Sequence, residues 1–469
     1  MKKNKFEVII IGAGIGGLIC ANYLAKKGVK VLIVEKNPNA GGYCRSFKIR
    51  DYFFDMCVHS LGGFSKKSKI YEIFKDLNMK NLDLIRINPS DTVITPDLKM
   101  EFHNELRTTI NGLIKLFPKE KKNIALFFKN FVLAKDLRSV SRCHKKSFRQ
   151  ILDESFEDER LKKIFSIFVI GNMGVSPFEA SAFSSCKHID QFIIDGGYYP
   201  KKGMQVFANI LARKFQEYGG KVLFSKEATK IVVKNNSVQG LELDRKMHFD
   251  ADFIVSDADA RSTLFNLIGK RFLKKSLINK VNLMKESSSL FVVYYGLKKN
   301  SLRVLQDRVN TWFILEYDFE QTAEKNKNNN FKIKWLMIRP NYRSRNLTAF
   351  IRVDFKSHSF WLKNKKKYIE YITKIINNID SRILNDVEYV NCATPSLFNR
   401  WTLNSKGAAY GWASTKGQFM VPEFLRDKIV KNLFFCGHWS SFGPGVPGVS
   451  ISGERVAKII LDRIHKERK

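Results

Sequence analysis

The stretch Phe6–Glu35, FEVIIIGAGIGGLICANYLAKKGVKVLIVE, decides how the rest of the chain is read. Val8–Ile11 is a short apolar, β-branched run and predicts a buried parallel strand. Gly12, Gly14 and Gly17 follow in G-x-G-x-x-G spacing, with Ile15 and Gly16 inside the same turn. Leu18–Lys26 has the period of a helix, and Gly28 is placed to end it. Val29–Val34 predicts a second buried strand, with Glu35 at its carboxyl end.

Each residue type has a physical task. Gly12 allows the tight strand-to-helix turn, Gly14 admits a pyrophosphate close to the backbone, and Gly17 lets helix and strand pack closely. The helix N-terminus offers unpaired N–H groups and a positive dipole end to phosphates. Glu35, about twenty residues after the glycines, is placed to accept hydrogen bonds from a ribose diol. A carboxylate there favours an unphosphorylated ribose, as in FAD or NAD, over NADP. Lys2, Lys3 and Lys5 ahead of the apolar run imitate a signal peptide, but the glycines weaken such a segment and leave Gly28–Glu35 unexplained.

The chain has 469 residues, 44% hydrophobic and 27% charged, which predicts a globular protein of about two or three domains. Its formal charge is +36, from 81 basic and 45 acidic residues. No nucleic-acid-binding module accompanies that charge, so nucleic acid is not an expected partner. Solvated lysine-rich faces account for it, and attraction to an anionic membrane surface is a by-product. The seven cysteines have irregular spacing and no C-x-x-C pair. That excludes a disulfide framework or zinc pattern and points to a reducing compartment, the cytoplasm, with the inner face of the membrane as a place of peripheral attachment. The eight histidines are scattered, and no metal site is expected. No spanning helix is expected either.

Past Glu35 and the Asn37–Pro38 turn, Ala40-Gly41-Gly42-Tyr43-Cys44-Arg45-Ser46 suits a loop closing over a pyrophosphate, since Arg45 offers a fork of donors. Phe47–Asp55 predicts a hairpin, and His59-Ser60 follows. Ile124–Leu133 predicts a helix apolar around most of its surface and edged by Lys121, Lys122, Lys129 and Lys135. Such a helix is either buried in a core or dips into a bilayer interface. Ser176 is read as a cap with Pro177 at an early helix position. A helix ending near Tyr218 precedes strands at Lys221–Phe224, Thr229–Val233, Val238–Leu243, Met247–Phe249 and Phe253–Ser256, with turns at Asn235-Asn236 and Asp244-Arg245. The last of these strands reaches Asp257-Ala258-Asp259. Strands are expected at Ser288–Gly296 and Phe350–Asp354, and a helix at Lys367–Ile379. Near the end, the apolar strand Asn432–Cys436 leads to Gly437-His438-Trp439, then to Gly443, Gly445 and Gly448 and a helix to about Ile464. Strand, glycine loop and helix N-terminus again make an anion-seeking arrangement.

The order glycine fingerprint, acid-ending strand, G-G-x-x-R-S, aspartate and H-S resembles the FAD-dependent phytoene desaturase family, which also holds carotenoid isomerases and retinol saturases, within the wider amine-oxidase-like flavoproteins. Gly41, Gly42, Arg45, Ser46, Asp55, His59 and Ser60 carry the match in order. Gly171–Phe183 resembles a family segment of the substrate domain. Asp195–Met204 resembles the family's Y-P-x-G-G-M turn with Lys202 where glycine is usual, and Ala393-Thr394-Pro395 with Gly407–Trp412 resembles A-T-P…G-x-x-Y-G. The resemblance implies an α/β fold: a discontinuous Rossmann-like FAD-binding domain of parallel sheet plus β-meander, with an inserted α+β substrate domain. The FAD domain would span 1–65, 196–260 and 427–469; the substrate domain would span 66–195 and 261–426, its helical part near 105–170 being a candidate for membrane contact.

The implied FAD-binding residues are Gly12, Gly14, Ile15, Gly16, Gly17, Glu35, Lys36, Gly42, Arg45, Ser46, Ala228, Gly437, Gly445, Val446, Gly448 and Val449. The backbone at Ala228 would lie beside the adenine, and the C-terminal helix would aim its N-terminus at the flavin N1–C2=O edge. His59, Tyr410 and Trp439 are candidates for lining the flavin face; His438 is a weaker acid–base candidate. No second glycine fingerprint serves a separate nicotinamide nucleotide, so FAD is the working cofactor, exchanging electrons with a separate donor or acceptor. The implied reaction is hydride exchange between flavin N5 and a carbon of a long apolar, polyene-like or terpenoid-like substrate: desaturation, saturation or cis–trans isomerisation. An amine or porphyrinogen oxidase, and an FAD-bearing binding protein without turnover, are the alternatives.

Overall fold

A computed structural model of the chain describes residues 5–79, 82–134, 143, 145–244, 247–320, 332–418, 430–440 and 444–468. Lys2, Lys3, Lys135, Arg245, Gly443 and the expected border at 427 lie outside the described residues.

The molecule is built on two seven-stranded sheets. The first runs Ala228–Lys234, Ser237–Leu243, Met247–Ser256, Lys5–Ile11, Val31–Val34, Lys221–Leu223, with Leu433–Phe435 joined to Met247–Ser256. Lys5–Ile11 pairs in parallel with Val31–Val34 and with Met247–Ser256, Ile10 facing Ile33 on one side and Val255 on the other. The expected strands Met247–Phe249 and Phe253–Ser256 are one continuous strand. Its first half pairs antiparallel with Ser237–Leu243 and its second half pairs in parallel with Lys5–Ile11 and Leu433–Phe435. One strand therefore belongs to both the meander and the parallel sheet, which a break in apolar pattern at Asp250 and Asp252 concealed. Asn235 and Asn236 turn the preceding hairpin, both with positive φ of 51° and 55°, as a two-residue hairpin turn requires.

Both faces of this sheet are covered, which explains the near-continuous apolar runs. Val8 and Ile10 point into a core with helices Ile15–Lys26, Met204–Glu217 and Gly445–Glu467. Ile9 and Ile11 point the other way, towards the meander and Leu264, Ile268 and Val281. The substrate side does not begin at residue 66 as expected: helix Lys69–Asp76 buries Ile70, Ile73 and Phe74 against the first core. Lys69 Nζ reaches Glu454 Oε1 at 3.0 Å, and Tyr23 donates to Asp76 at 3.3 Å. Similarly, the chain stays on the nucleotide sheet past residue 260, as far as Met284.

The second sheet is ordered Val387–Ala393, Ser289–Leu297, Asn346–Val353, Trp335–Asn341, Asn310–Ile314, Asp91–Ile94, Lys99–Phe102. Side chains of Ser289–Leu297 alternate with period two. Leu290, Val292 and Tyr294 enter one core, and Phe291, Val293, Tyr295 and Leu297 enter another. The outer face is covered by the helix His358–Ile379, longer than the expected Lys367–Ile379 because Ser357 caps its start. The inner face packs on helices between 106 and 173 in an aromatic core that includes Phe127, Phe128, Phe156, Phe165, Phe168 and Trp312. Ile124–Leu133 is an α-helix only to Phe127 and continues as a π-turn to Val132. It is buried on one side only: Ile124, Phe127, Phe128 and Val132 are buried, while Leu126, Lys121, Lys122 and Lys129 are exposed. Ser176 and Pro177 form a turn, and the helix starts later, at Ala182 after the Ser181 cap, whose Oγ accepts from Ser184 N.

Candidate cofactor and active site

A cavity of about 490 Å³ runs from the carboxyl ends of the parallel strands to the edge of the second sheet. Two helices open onto it. Helix Ile15–Lys26 begins at Gly14 and helix Gly445–Glu467 at Pro444, and neither N-cap supplies a side-chain acceptor. No side chain of either helix covers its first N–H groups, which face the cavity as anion donors; at the first mouth the Asp257 carboxyl, from a neighbouring strand, stands beside them. The two helices touch through glycine: a Cβ on Gly453 would stand 2.3 Å from the Gly16 carbonyl oxygen.

The glycines of the first turn are enforced by sterics. Gly12 has φ +99°, and a Cβ on Gly17 would lie 2.5 Å from the Gly12 oxygen. A Cβ on Gly16 would lie 2.8 Å from the Gly437 backbone, so the N-terminal and C-terminal glycine turns meet here. Glu35 is buried at the end of its strand. Its Oε2 accepts from Ala13 N at 2.9 Å, and its Oε1 accepts from Asn37 N at 2.8 Å and Asn37 Nδ2 at 2.7 Å. Each carboxylate oxygen has two acceptor directions, so Oε2 keeps one for a ribose hydroxyl. Gly41 and Gly42, with φ of 124° and 56°, turn the next loop back over Gly14. Arg45 lines the cavity and anchors Nε on Gly42 O at 3.2 Å.

Of the expected cofactor residues, Gly12, Gly14, Ile15, Gly16, Glu35, Lys36, Gly42, Arg45, Ala228, Gly437, Gly445, Val446 and Val449 line the cavity. Gly17, Ser46 and Gly448 do not, and act from behind it. Ser46 Oγ donates to Asp55 Oδ1 at 2.6 Å and accepts from Gln205 N at 3.1 Å. Asp55 also accepts from Met204 N at 3.1 Å and from Tyr199 OH at 2.6 Å. The R-S…D element thus caps helix Met204–Glu217, whose own N-cap, Gly203, has no side chain to do so.

At the far end the walls are Val58, His59, Asn172, His188, Phe192, Leu290, Ala409 and Tyr410. His59 Nδ1 is 3.2 Å from Cys57 O. Burial, reinforced by Arg339, pushes its pKa down to about 4. Burial takes His188 to about 3 and His438 to about 4. All three rings are neutral at pH 7, which removes His438 as a ready proton donor. Tyr410 donates to Gly171 O at 2.6 Å, and burial raises its pKa. The expectation for Trp439 is corrected. It is fully buried behind the cavity, edge-on to Trp412 at 4.9 Å, with Nε1 donating to Asn404 Oδ1 at 2.9 Å. An indole with one polar atom satisfied in the core has no face left for a ligand.

Asn172, His188, Phe192 and Asp257 went unassigned in the sequence. Asn172 falls in the Gly171–Phe183 segment, whose resemblance points to the substrate domain without singling out a side chain; His188 and Phe192 sit in no motif at all.

Two helix mouths without caps of their own, glycine positions that a Cβ would fill, and an acid at the ribose end line the nucleotide end of the cavity and fit an FAD. The pattern of the flavin-containing amine oxidoreductase family matches residues 15–461. An all-trans-retinol 13,14-reductase of Danio rerio is 24% identical over 92% of this chain and 82% of its own length. A 1-hydroxycarotenoid 3,4-desaturase of a Flavobacterium is 25% identical over 97% of this chain and 99% of its own. Among solved structures, an oxidoreductase from Methanosarcina mazei superposes with a TM-score of 0.68 at 16% identity, covering 96% of this chain and 100% of that one. The fold, the glycine-lined cavity and the family match agree, and the chain belongs to the flavin-containing amine oxidoreductases as an FAD-dependent oxidoreductase.

Proposed function

We propose that this enzyme exchanges a hydride between bound FAD and a carbon of a long apolar substrate of polyene or terpenoid type. The observation that carries the reading is the chemistry of the far wall. Every acid that lines the cavity, Glu35, Glu227, Asp257 and Asp259, comes from the nucleotide sheet and its flanking turns. The far wall offers apolar side chains, one asparagine amide, one tyrosine and two uncharged imidazoles, and no carboxylate among the described residues to greet a cationic amine. The two relatives above are named for a retinol and a hydroxycarotenoid, which supports the same substrate class.

Flavin supplies the hydride chemistry when bound. The protein supplies place, polarity and dryness. The Gly445–Glu467 helix mouth favours negative charge beside it by about 1 kcal/mol. Tyr410, tied to Gly171 O, holds its ring as a fixed wall, and the neutral His59 and His188 leave that end of the cavity without charge.

Anaerobic mixing with all-trans-retinoids or carotenes, watched by flavin absorbance and mass spectrometry, tests the reading. A two-hydrogen change or an isomer shift in the polyene supports it. Peroxide release with amines and silence towards polyenes would replace it with an amine oxidase, and a flavin unmoved by any reductant or lipid with a binding protein. A separate electron donor or acceptor completes the cycle in this proposal.

A peripheral membrane location belongs to the same proposal. No described helix is long and apolar enough to cross a membrane. The outer side of the 121–133 segment presents Leu126, 42% exposed, and Leu133 among Lys121, Lys122 and Lys129. Flotation with anionic liposomes at low salt, lost at high salt, is the expected result; no flotation at either salt removes the idea.

A further inference from the structure

The motif Asp257-Ala258-Asp259 is only half explained by the fold. Asp259 is a helix cap: it accepts from Ser262 N at 2.7 Å and from Ser405 N at 2.7 Å. Asp257 has no such task. It follows the last residue of Met247–Ser256, the strand that pairs with both Lys5–Ile11 and Leu433–Phe435, and so stands where the two glycine turns meet. A Cβ on Gly14 would come within 2.4 Å of its Oδ2. Cβ atoms on Gly437 and Gly16 would come within 2.1 and 2.8 Å of its Oδ1. Its Oδ2 would also stand 3.0 Å from a Cβ on Gly17, so the carboxyl lies over these glycines and feels the pull of their N–H groups. Those are donors of the first helix mouth, the ones a pyrophosphate seeks. Asp257 is otherwise open only partly, and it lines the cavity.

We propose that Asp257 is a proton-linked positioning residue for the dinucleotide: its carboxyl occupies the first helix mouth, and the pyrophosphate settles beside it only when that carboxyl is neutral. An anionic carboxylate at this spot competes for the same N–H groups and repels the phosphates. A protonated one keeps its place between the glycines and turns its O–H to a phosphate oxygen. One proton is taken from solvent for each FAD bound.

The groups that face Asp257 agree with this assignment. They are Cys20 from the first helix, Cys436 from the strand before Gly437, with Sγ 3.7 Å from Oδ1, and Glu35 from the second strand. Burial raises both thiols, so they are neutral, and Glu35 brings a further negative charge. Desolvation, against the pull of the Gly17 and Gly14 N–H groups, holds the Asp257 carboxyl at about 7 even before a phosphate arrives. The inference rests on the FAD site alone and not on the polyene reading.

The test is FAD binding to full-length protein stripped of flavin, followed by fluorescence quenching from pH 6 to 9. Wild-type affinity should be level below about pH 7 and weaken about tenfold per unit above it, as one-proton linkage requires. Asp257→Asn should bind with no slope and overtake the wild type at pH 9. In weak buffer at pH 8, wild type should take up close to one proton per FAD and Asp257→Asn close to none. Superimposable profiles, or uptake that persists in the variant because Lys36 is its source, overturn the proposal. If Asp257→Asn does not fold, Asp257→Ser replaces it, and absence of uptake by the wild type is by itself decisive against.

Discussion

The two sheets are held together by different means. At the ligand end of the nucleotide sheet, backbone meets backbone: Gly16 against Gly437, Gly453 against Gly16, Gly17 against Gly12. Around the second sheet, ring meets ring: Phe156 stacks on Phe165 at 5.8 Å, Phe127 approaches Phe165 at 5.0 Å, and Phe168 stands edge-on to Phe102 at 5.0 Å. Backbone contacts tolerate one residue type, because any Cβ is too much. Ring contacts tolerate several, because a neighbouring rotamer shifts and volume is what must be kept. The cofactor half is therefore rigid in sequence, and the other half is free to change what it accommodates.

The largest effect should come from breaking a backbone contact. Gly437→Ala combines φ +78° with a Cβ 2.1 Å from Asp257 Oδ1, so the protein should purify without colour, read as the ratio of flavin to protein absorbance. Full flavin content would show that the glycine turns do not set the site. Next in size is a ring contact. Phe165 is fully buried, and Phe165→Ala should cost about 3–5 kcal/mol in urea unfolding. The folded fraction should still carry flavin at the wild-type ratio. Loss of flavin along with stability would mean that the ring core sets the cofactor site as much as the glycine turns do.

The same contrast explains what could be read in the sequence. Gly12, Gly14, Glu35, Gly42, Arg45 and Gly437 announce themselves because their spacing serves a ligand that does not vary. The whole parallel sheet was legible for that reason, with the exception of the single strand Met247–Ser256, which polar residues at 250 and 252 split in two. Most of the second sheet was hidden: of its seven strands only Ser289–Leu297 and the end of Asn346–Val353 are legible in the sequence. Asp91–Ile94 and Lys99–Phe102 are short and sit far in sequence from Asn310–Ile314, the strand that the first of them pairs with in parallel. Trp439 misled because an aromatic after a glycine turn fits a ligand wall as well as it fits a core. Its bond to Asn404, contributed from another segment, decides the matter and leaves no trace in local pattern. His188 faces the cavity through tertiary placement alone.

A smaller effect sharpens the comparison within the cofactor half. Glu35 holds three backbone or side-chain donors of its own fold besides its task towards ribose. Glu35→Gln keeps one acceptor and loses the charge, so FAD should bind about tenfold more weakly, in line with roughly 1.5 kcal/mol for a charge-assisted bond. Folding stability should fall as well, since Ala13 N or the Asn37 donors lose a partner. Weaker FAD binding with unchanged stability would assign Glu35 wholly to the ligand.

The smallest expected effect is an absence, and it bears on the far wall. Were His59, His188 or His438 a proton donor in the reaction, kcat/KM would bend near pH 6.5, where an ordinary imidazole titrates. Burial holds them at about 4, 3 and 4, so no bend from these rings should appear between pH 5.5 and 8. Their folded values lie below the unfolded one. The stability they contribute is thus complete above about pH 6.5 and is lost as pH falls towards 4. Chemical unfolding should accordingly weaken between pH 6.5 and 4.5 while the reaction step stays level. Asp257 acts with the opposite sign, being raised to about 7, so the comparison is made in FAD-saturated Asp257→Asn. A bend near 6.5 that disappears in His59→Asn would return that histidine to acid–base work and undo the view of a neutral, apolar wall.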